Sequence, residues 1–178
     1  GSFTSYLYTI LKVLHSFLDV KHQDILESIT ELENISKKIN SSNLTKNNPA
    51  LNLAEWVIGI PMIYYPFGLE PVAIRFKNSL QENNKMHAIT EDVVEACHNG
   101  IVAWEKENNV TPILIEGVDD HIKTKERWNV LKDYFQENKI NFYEVVSTEG
   151  SILTKIINLI YILDYSSIYL SILSKTDP

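Results

Sequence analysis

Two side chains in this sequence could exchange protons with a substrate. Glu82 lies in the polar end of a predicted helix, and His98 lies in a separate element, the segment Glu95–Gly100. A carboxylate and an imidazole can both titrate near neutral pH once their environments are tuned, so the pair suits general acid–base catalysis. Each residue alone also fits an ordinary solvated side chain. The spacing of the two residues does not decide between these interpretations.

Two loops also carry polar side chains directly after predicted strands. The loop Glu116–His121 suits a metal ion or acid–base work, but Asp119 and Asp120 are equally favourable residues at the start of a helix. The loop Ser147–Ser151 could hold an anion on free backbone N–H groups or simply cap the next helix, with Ser147 or Thr148 paired to Glu149 and Ser151. We favour the structural interpretation for both loops. The sequence contains neither G-x-x-x-x-G-K-[ST] nor G-x-G-x-x-G, so it does not support nucleotide binding through either motif.

The single cysteine and a series of tyrosines are expected to be structural. Cys97 is next to His98, but helical neighbours point about 100° apart, so we expect a small buried side chain and no nucleophile–base pair. One cysteine also excludes an internal disulfide and a Cys-rich zinc site, and it fits a reducing cytoplasm. Tyr161, Tyr165 and Tyr169 recur every four residues, which predicts a core or subunit-interface position.

The composition is that of a globular domain. The chain has 178 residues, of which 44% are hydrophobic and 22% charged, and one core can form at this length. The 16 Lys and Arg residues against 23 Asp and Glu residues give a net charge of −7, which argues against binding to duplex nucleic acid or an anionic membrane. The apolar segment Ile152–Leu173 carries too many polar side chains for a lone bilayer span, and no signal peptide is predicted. We therefore expect a cytoplasmic protein.

Periodicity predicts alternating helices and strands. Helices are predicted over residues 6–18, 21–39, 49–57, 69–83, 91–97, 121–138 and 151–175, with Thr90 as the N-cap of the fifth. Strands are predicted over 60–65, 86–89, 112–116 and 141–146. The strands are continuous apolar runs, which is typical of a parallel sheet covered on both faces. The fold class is therefore α/β: a three-layer αβα sandwich with a mainly parallel sheet and long N- and C-terminal helices.

Several short sequence blocks occur in an order that is specific although no single block is. They are Asn48-Pro49-Ala50, Ile60–Tyr64, Pro71–Lys77, Glu82–Ala88, His98-Asn99, Asp119–His121 and Asp164-Tyr165. Over about residues 48–178 this order resembles the C-terminal half of the bifunctional phosphoglucose/phosphomannose isomerases, which are built from sugar isomerase (SIS) domains. The resemblance implies a flavodoxin-like SIS domain over 48–178, preceded by a helical segment and loop over 1–47, in one compact domain.

The resemblance also implies a reaction. Glu82 matches the catalytic base in the family's E-N-x-K segment, and His98 matches the ring-opening histidine of its H-N segment. The implied activity interconverts glucose 6-phosphate or mannose 6-phosphate with fructose 6-phosphate through a cis-enediol, with no metal or organic cofactor. The implied partners are the phosphosugar and a second protomer, since His98 would act across a homodimer interface.

The match to the family is incomplete. The family's phosphate-binding Ser/Thr cluster and an active-site arginine lie in the N-terminal SIS domain, and its lysine lies beyond Asp177-Pro178, so Lys175 does not replace it. We therefore expect this domain to be inactive by itself. The second hypothesis is a non-catalytic SIS domain that binds a phosphosugar or a partner protein. A flavodoxin-like receiver is disfavoured because no acidic pocket follows an early strand.

Overall fold

The computed structural model describes residues 3–178 and contains a four-stranded parallel sheet. The strands are β1 (Ile60–Tyr65), β2 (Ile89–Asp92), β3 (Val110–Glu116) and β4 (Tyr143–Val146). They lie in the order β2-β1-β3-β4, and all three pairings are parallel. Strand β2 therefore forms one edge of the sheet and β4 the other.

Helices cover both faces of this sheet. They are α1 (Phe3–Val13), α2 (His22–Ile39), α3 (Pro49–Trp56), α4 (Glu70–Asn84), α5 (Val93–Ala96), a 3-10 helix (Gly100–Glu105), α6 (Ile122–Glu137) and α7 (Ile152–Ser174). Side chains along a strand alternate between faces. Ile63 and Ile113 pack with α3, α4 and α7, whereas Tyr64 and Leu114 pack with α5 and α6. These contacts confirm the predicted three-layer αβα class.

Helix α7 is the central helix of its layer. It contacts α2, α3 and α4, and the Asn158 side chain donates a hydrogen bond of 2.8 Å to Glu31 of α2. Within residues 3–178 it is the one helix whose length and composition would allow it to cross a membrane, but 56% of its most apolar 18-residue window is buried inside the protein. The expectation of a core helix in this segment is confirmed.

The first helix is shorter than its apolar stripe predicts. Helix α1 ends at Val13, and the chain then turns so that the N–H groups of Phe17 and Leu18 both bond to the carbonyl of Leu14. The Phe17 side chain is 85% exposed. Most helical stability in proteins comes from packing, so an apolar stripe without a partner does not extend the helix.

The second strand and the helix after it also differ from the prediction. Residues 86–88 precede the strand, and Thr90 lies inside β2 opposite Ile63 instead of capping a helix. The N-cap of α5 is Asp92, whose carboxylate accepts a hydrogen bond of 2.7 Å from the Val94 N–H group. Pairing with β1 sets these boundaries, and a short segment taken alone does not reveal that register.

Candidate active site

Glu82 lies in the last turn of α4 with its side chain exposed. It forms one end of a groove of about 690 Å³ that runs along the outer side of α4. The start of α1 contributes Phe3 to the same groove, and α4 contributes Arg75 and Asn78. The Glu82 carboxylate is therefore presented to an open groove.

The turn that carries Glu82 is tied to the core helix α7. Asn83 donates a hydrogen bond of 2.8 Å to the Ser167 hydroxyl, and Asn84 donates one of 3.0 Å to the Ser167 carbonyl. Ser167 is completely buried. Because the residues after Glu82 are anchored to a packed helix, the end of α4 is held in one position.

A second polar contact joins α4 to α7 nearer the middle of the groove. Asp164 accepts hydrogen bonds from Arg75 at 2.6 and 3.1 Å and from the Ser79 hydroxyl at 3.1 Å. The Arg75 guanidinium also lies 4.1 Å from the centre of the Phe3 ring. Arg75 is thus already paired with a carboxylate and is not free to neutralise a phosphate.

His98 lies in the turn after α5, on the other side of the sheet. Its backbone N–H bonds to the Glu95 carbonyl at 3.0 Å, and its side chain is exposed. Helix α5 packs with Tyr64 and Leu114, whereas α4 packs with Ile63 and Ile113. The two predicted site residues therefore lie on opposite faces of the sheet.

They also lie toward opposite ends of the strands. Helix α4 begins after the carboxyl end of β1 and returns to the amino end of β2, so Glu82 is near the amino ends of the strands. His98 follows the carboxyl end of β2 after the short helix α5. One protomer does not bring Glu82 and His98 together.

The loop Glu116–His121 has the structural role that the sequence favoured, with a different cap. Asp120 accepts hydrogen bonds from the Gly117 N–H at 3.0 Å and the Trp128 indole at 2.9 Å, and Asp119 pairs with Lys155. That hydrogen bond lowers the pKa of Asp119. The N-cap of α6 is His121, which accepts from the Lys123 N–H at 3.2 Å. Both aspartates are engaged by other partners, so neither serves as the cap.

The start of α7 already holds an anion from the protein itself. Ser151 is its N-cap, and Glu27 of α2 accepts hydrogen bonds from the Ser151 N–H at 2.9 Å and the Thr154 hydroxyl at 2.8 Å. These bonds lower the pKa of Glu27, the backbone one most. The sequence predicted capping here by Ser147 or Thr148, but the Ser147 hydroxyl instead accepts from the Val118 N–H at 3.1 Å. A residue as distant in sequence as Glu27 gives no local signal of this role.

A partly buried ion cluster joins β3, β4 and α6. Lys132 lies 2.8 Å from Glu116 and 2.6 Å from Glu144, and the side chains of Lys132 and Glu116 are only 19% and 13% exposed. Burial raises the pKa of the Glu116 carboxyl, and the hydrogen bond from Lys132 opposes that shift. Because the lysine is shared by two carboxylates, we interpret the cluster as structural.

Cys97 and the tyrosine series have the structural roles expected of them. Cys97 is half-buried, its thiol lies 3.6 Å from the Arg127 carbonyl, and burial raises the thiol pKa, which disfavours the reactive thiolate. Tyr169 is buried and donates a hydrogen bond of 2.6 Å to the Ile39 carbonyl. Tyr161 and Tyr165 stack edge to face, with ring centres 5.0 Å apart. Within residues 3–178, no group of three His, Cys, Asp or Glu side chains is arranged to hold a metal ion.

Comparison with known families gives a match over most of the chain. A family described as the bacterial phospho-glucose isomerase C-terminal SIS domain matches residues 46–178. The chain belongs to this family. The matched range spans the positions of Glu82 and His98.

Three curated relatives of this SIS domain are named bifunctional phosphoglucose/phosphomannose isomerase. The relative from Caldicellulosiruptor bescii is 30% identical over 124 residues, which cover 67% of this chain and 37% of the relative. The relative from Aquifex aeolicus is 24% identical over 152 residues, which cover 83% of this chain and 48% of the relative. The relative from Thermoplasma acidophilum is 24% identical over 178 residues, which cover 96% of this chain and 53% of the relative. The chain spans about half the length of these relatives, or less.

Solved structures show the same fold. A glucose-6-phosphate isomerase like protein from Thermus thermophilus superposes with a TM-score of 0.71 at 18% identity, covering 88% of this chain and 54% of that one. The C-terminal domain of glucosamine-fructose-6-phosphate aminotransferase from Francisella tularensis gives a TM-score of 0.55 at 13% identity, covering 87% and 43%. At these identities the similarity establishes the SIS fold alone.

Proposed function

We propose that this chain is the C-terminal SIS domain of an aldose–ketose isomerase that interconverts glucose 6-phosphate and/or mannose 6-phosphate with fructose 6-phosphate. One observation carries the proposal. Glu82, the residue that matches the family's base, is held at the end of α4 by bonds from Asn83 and Asn84 to Ser167, while its carboxylate faces an open groove. A general base requires this combination of a fixed position and access to substrate.

The chemistry needs proton transfers in two stages, ring opening and isomerisation. In the proposed reaction His98 moves a proton between the ring oxygen and the anomeric hydroxyl, which opens the sugar ring. Glu82 then removes the proton from carbon 2 and returns it to carbon 1 through a cis-enediol, while the hydroxyl proton on the carbon-2 oxygen is lost and the carbon-1 oxygen gains one. Each acid–base group typically contributes about 10²–10⁴-fold to the rate, so positioning and stabilisation of the enediolate must supply the rest.

The phosphate group of the substrate is proposed to bind outside this chain. Arg75 is paired with Asp164, the start of α7 is occupied by Glu27, and the turn 66–68 after β1 contains no hydroxyl side chain. This chain spans about half of its relatives. We therefore assign the phosphate site to the remaining part of the enzyme, in keeping with an isolated domain that is inactive.

The proposal is tested in the longest natural protein that contains this chain. Glu82→Gln keeps the size of the side chain but removes the base, so fructose 6-phosphate formation should fall by about 10³-fold. Glu70→Gln is the matched control, because Glu70 is exposed, lies on the same helix and lines the same groove. His98→Ala should lower the rate by about 10²-fold.

Two results would separate the alternatives. Unchanged isomerase activity in Glu82→Gln would refute the catalytic role of Glu82. A wild-type protein that binds fructose 6-phosphate without isomerising it would instead support the second hypothesis, a non-catalytic SIS domain that binds a phosphosugar.

A further inference from the structure

A cavity lies between the 3-10 helix and the face of the sheet that packs with α5 and α6. Its volume is about 350 Å³, which is within the range of small-molecule sites. One wall consists of side chains from three neighbouring strands, namely Met62, Tyr64, Ile89, Glu91 and Val110. The opposite wall is the 3-10 helix. The cavity contains none of the residues to which the proposed function assigns a role.

Most of this lining is apolar, and its polar side chains other than Glu91 are already hydrogen-bonded. The Trp104 indole donates a hydrogen bond of 2.9 Å to the Tyr64 hydroxyl. The Asn108 side chain donates one of 2.9 Å to the Lys106 carbonyl and accepts one of 3.0 Å from the Val110 N–H. These bonds hold the walls of the cavity in place.

The Glu91 carboxylate lacks such a partner. One of its oxygens is buried and accepts no hydrogen bond within residues 3–178. Burial raises the pKa of the Glu91 carboxyl, and the neighbouring Glu95 and Asp92 raise it further. Buried polar atoms in native proteins are normally hydrogen-bonded, and buried charges are normally paired. The unpaired carboxylate therefore indicates a cationic partner that comes from outside the chain.

Gly100 makes room for this carboxylate. A Cβ atom at position 100 would collide with the Glu91 carboxyl group. Because glycine has no side chain, the start of the 3-10 helix lies directly against Glu91. The negative charge is thus held at the wall of an otherwise apolar cavity.

We propose that this cavity binds a small organic cation, an ammonium group carried by an aromatic or aliphatic body. The ammonium group pairs with the Glu91 carboxylate, and the apolar body contacts Met62 and Val110. Trp104, whose ring lies edge to face with Phe135 at 5.2 Å, adds an aromatic surface, and such surfaces attract organic cations.

The strand register sets the length of the ligand. Glu91 lies opposite Tyr64, and Ile89 lies opposite Met62, so the charged end and the apolar end of the cavity are two residues apart along the sheet. Two residues of a strand span about 7 Å. A single ring with an ammonium group on a two-carbon chain has a similar length, so phenethylamine is a suitable probe.

The first test compares three probes of similar size by isothermal titration calorimetry of this chain. At about pH 8 phenethylamine is a cation, phenethyl alcohol is neutral and phenylacetate is an anion. Phenethylamine should bind with a dissociation constant of about 1 mM or lower, about tenfold more tightly than the alcohol, and phenylacetate should bind most weakly. Equal binding of the amine and the alcohol, or no binding of the amine, would overturn the proposal.

The second test removes the charge. Glu91→Gln keeps the size of the side chain, so it should abolish the roughly tenfold preference for the amine and keep the binding of phenethyl alcohol. Glu95→Gln is the matched control, because Glu95 is an exposed neighbouring carboxylate outside the cavity lining, and it should keep most of the preference. The same loss of preference in both variants would overturn the assignment to Glu91.

The third test blocks the cavity. Ala103→Phe adds a ring to the wall and should abolish the binding of both phenethylamine and phenethyl alcohol. Val102→Phe is the control, because Val102 is on the same 3-10 helix but outside the lining, and it should bind both probes like wild type. Both positions are exposed, so neither substitution disturbs the core. Wild-type binding by Ala103→Phe would overturn the location of the site.

The fourth test locates the bound probe by NMR spectroscopy of this chain. Phenethylamine should shift the signals of the Trp104 indole N–H and the Gly100 amide. The Trp56 indole N–H, on the opposite face of the sheet, is the internal control and should not move. A shift of Trp56 without a shift of Trp104 would overturn the site. None of the four tests uses a sugar phosphate, so their failure leaves the proposed function untouched.

Discussion

The sharpest prediction concerns the substitution Ser167→Ala. It weakens the anchor between α4 and α7, which is the pair of hydrogen bonds from Asn83 and Asn84 to Ser167. The Ser167 hydroxyl accepts a hydrogen bond of 2.8 Å from Asn83 and donates one of 2.8 Å to the Asp164 carbonyl. Ser167 is completely buried, so the substitution leaves the Asn83 amide without its partner. Loss of one partner in a mostly buried hydrogen bond costs about 1–3 kcal/mol of the free energy of unfolding.

The same substitution should affect the proposed catalysis more than substrate binding. Asn83 directly follows Glu82, so loosening the anchor lets the proposed base move, and a displacement of about 1 Å can cost on the order of 10²-fold in rate. We expect kcat in the longest natural protein to fall by about tenfold with little change in KM. Urea unfolding of this chain measures the change in the free energy of unfolding. Steady-state kinetics of the longest natural protein measure the change in kcat and KM.

Ser166→Ala is the matched control. Ser166 is equally buried, but its hydroxyl donates only to the Ile162 carbonyl within the same helix at 2.9 Å. Removing such a bond is close to neutral for stability. If Ser167→Ala and Ser166→Ala have the same stability and the same kcat, the anchor does not hold Glu82 and the reasoning is wrong.

Two further predictions concern stability. Removing Lys132 leaves the mostly buried Glu116 without its cation, so Lys132→Met should lower the free energy of unfolding by about 3 kcal/mol. The control is Lys123→Met, which should change the free energy of unfolding by less than about 1 kcal/mol because the side chains of Lys123 and its partner Glu126 are 65% and 54% exposed. Equal effects of the two substitutions in urea unfolding would contradict this prediction. Because the pKa of Glu27 is lowered in the folded protein, its stabilisation is present above the ordinary glutamate pKa of 4.5 and lost as the pH falls through the folded pKa. Glu27→Gln should therefore be less stable than wild type at neutral pH and equal to it in strong acid. Glu33→Gln, on the exposed side of α2, is the control and should match wild type at both pH values. A difference in stability between Glu27→Gln and wild type that persists in strong acid would refute the role of the Glu27 carboxylate at the start of α7.

Local sequence signals predicted most of the fold. Continuous apolar runs such as Ile113–Ile115 predicted buried parallel strands, because such strands contact helices on both faces. Pro49 marked the start of α3, where Asn48 accepts bonds from two backbone N–H groups. The exact position of β2 escaped prediction, since its limits depend on the register with β1 and not on its own composition.

For the candidate site, too, the sequence predicted some features and only the tertiary structure showed the others. The order of short blocks led from the sequence to the family and to Glu82 and His98, because residue types at fixed spacing are a property of the chain itself. Only the tertiary structure shows three other features of the site. Glu27 occupies the start of α7, and Arg75 is paired with Asp164. Glu82 and His98 lie on opposite faces of the sheet. These contacts join residues distant in sequence, and their geometry is set by how the helices pack on the sheet. The periodicity of apolar residues predicts which side of a helix or strand is buried, but it does not predict which other element packs against that side.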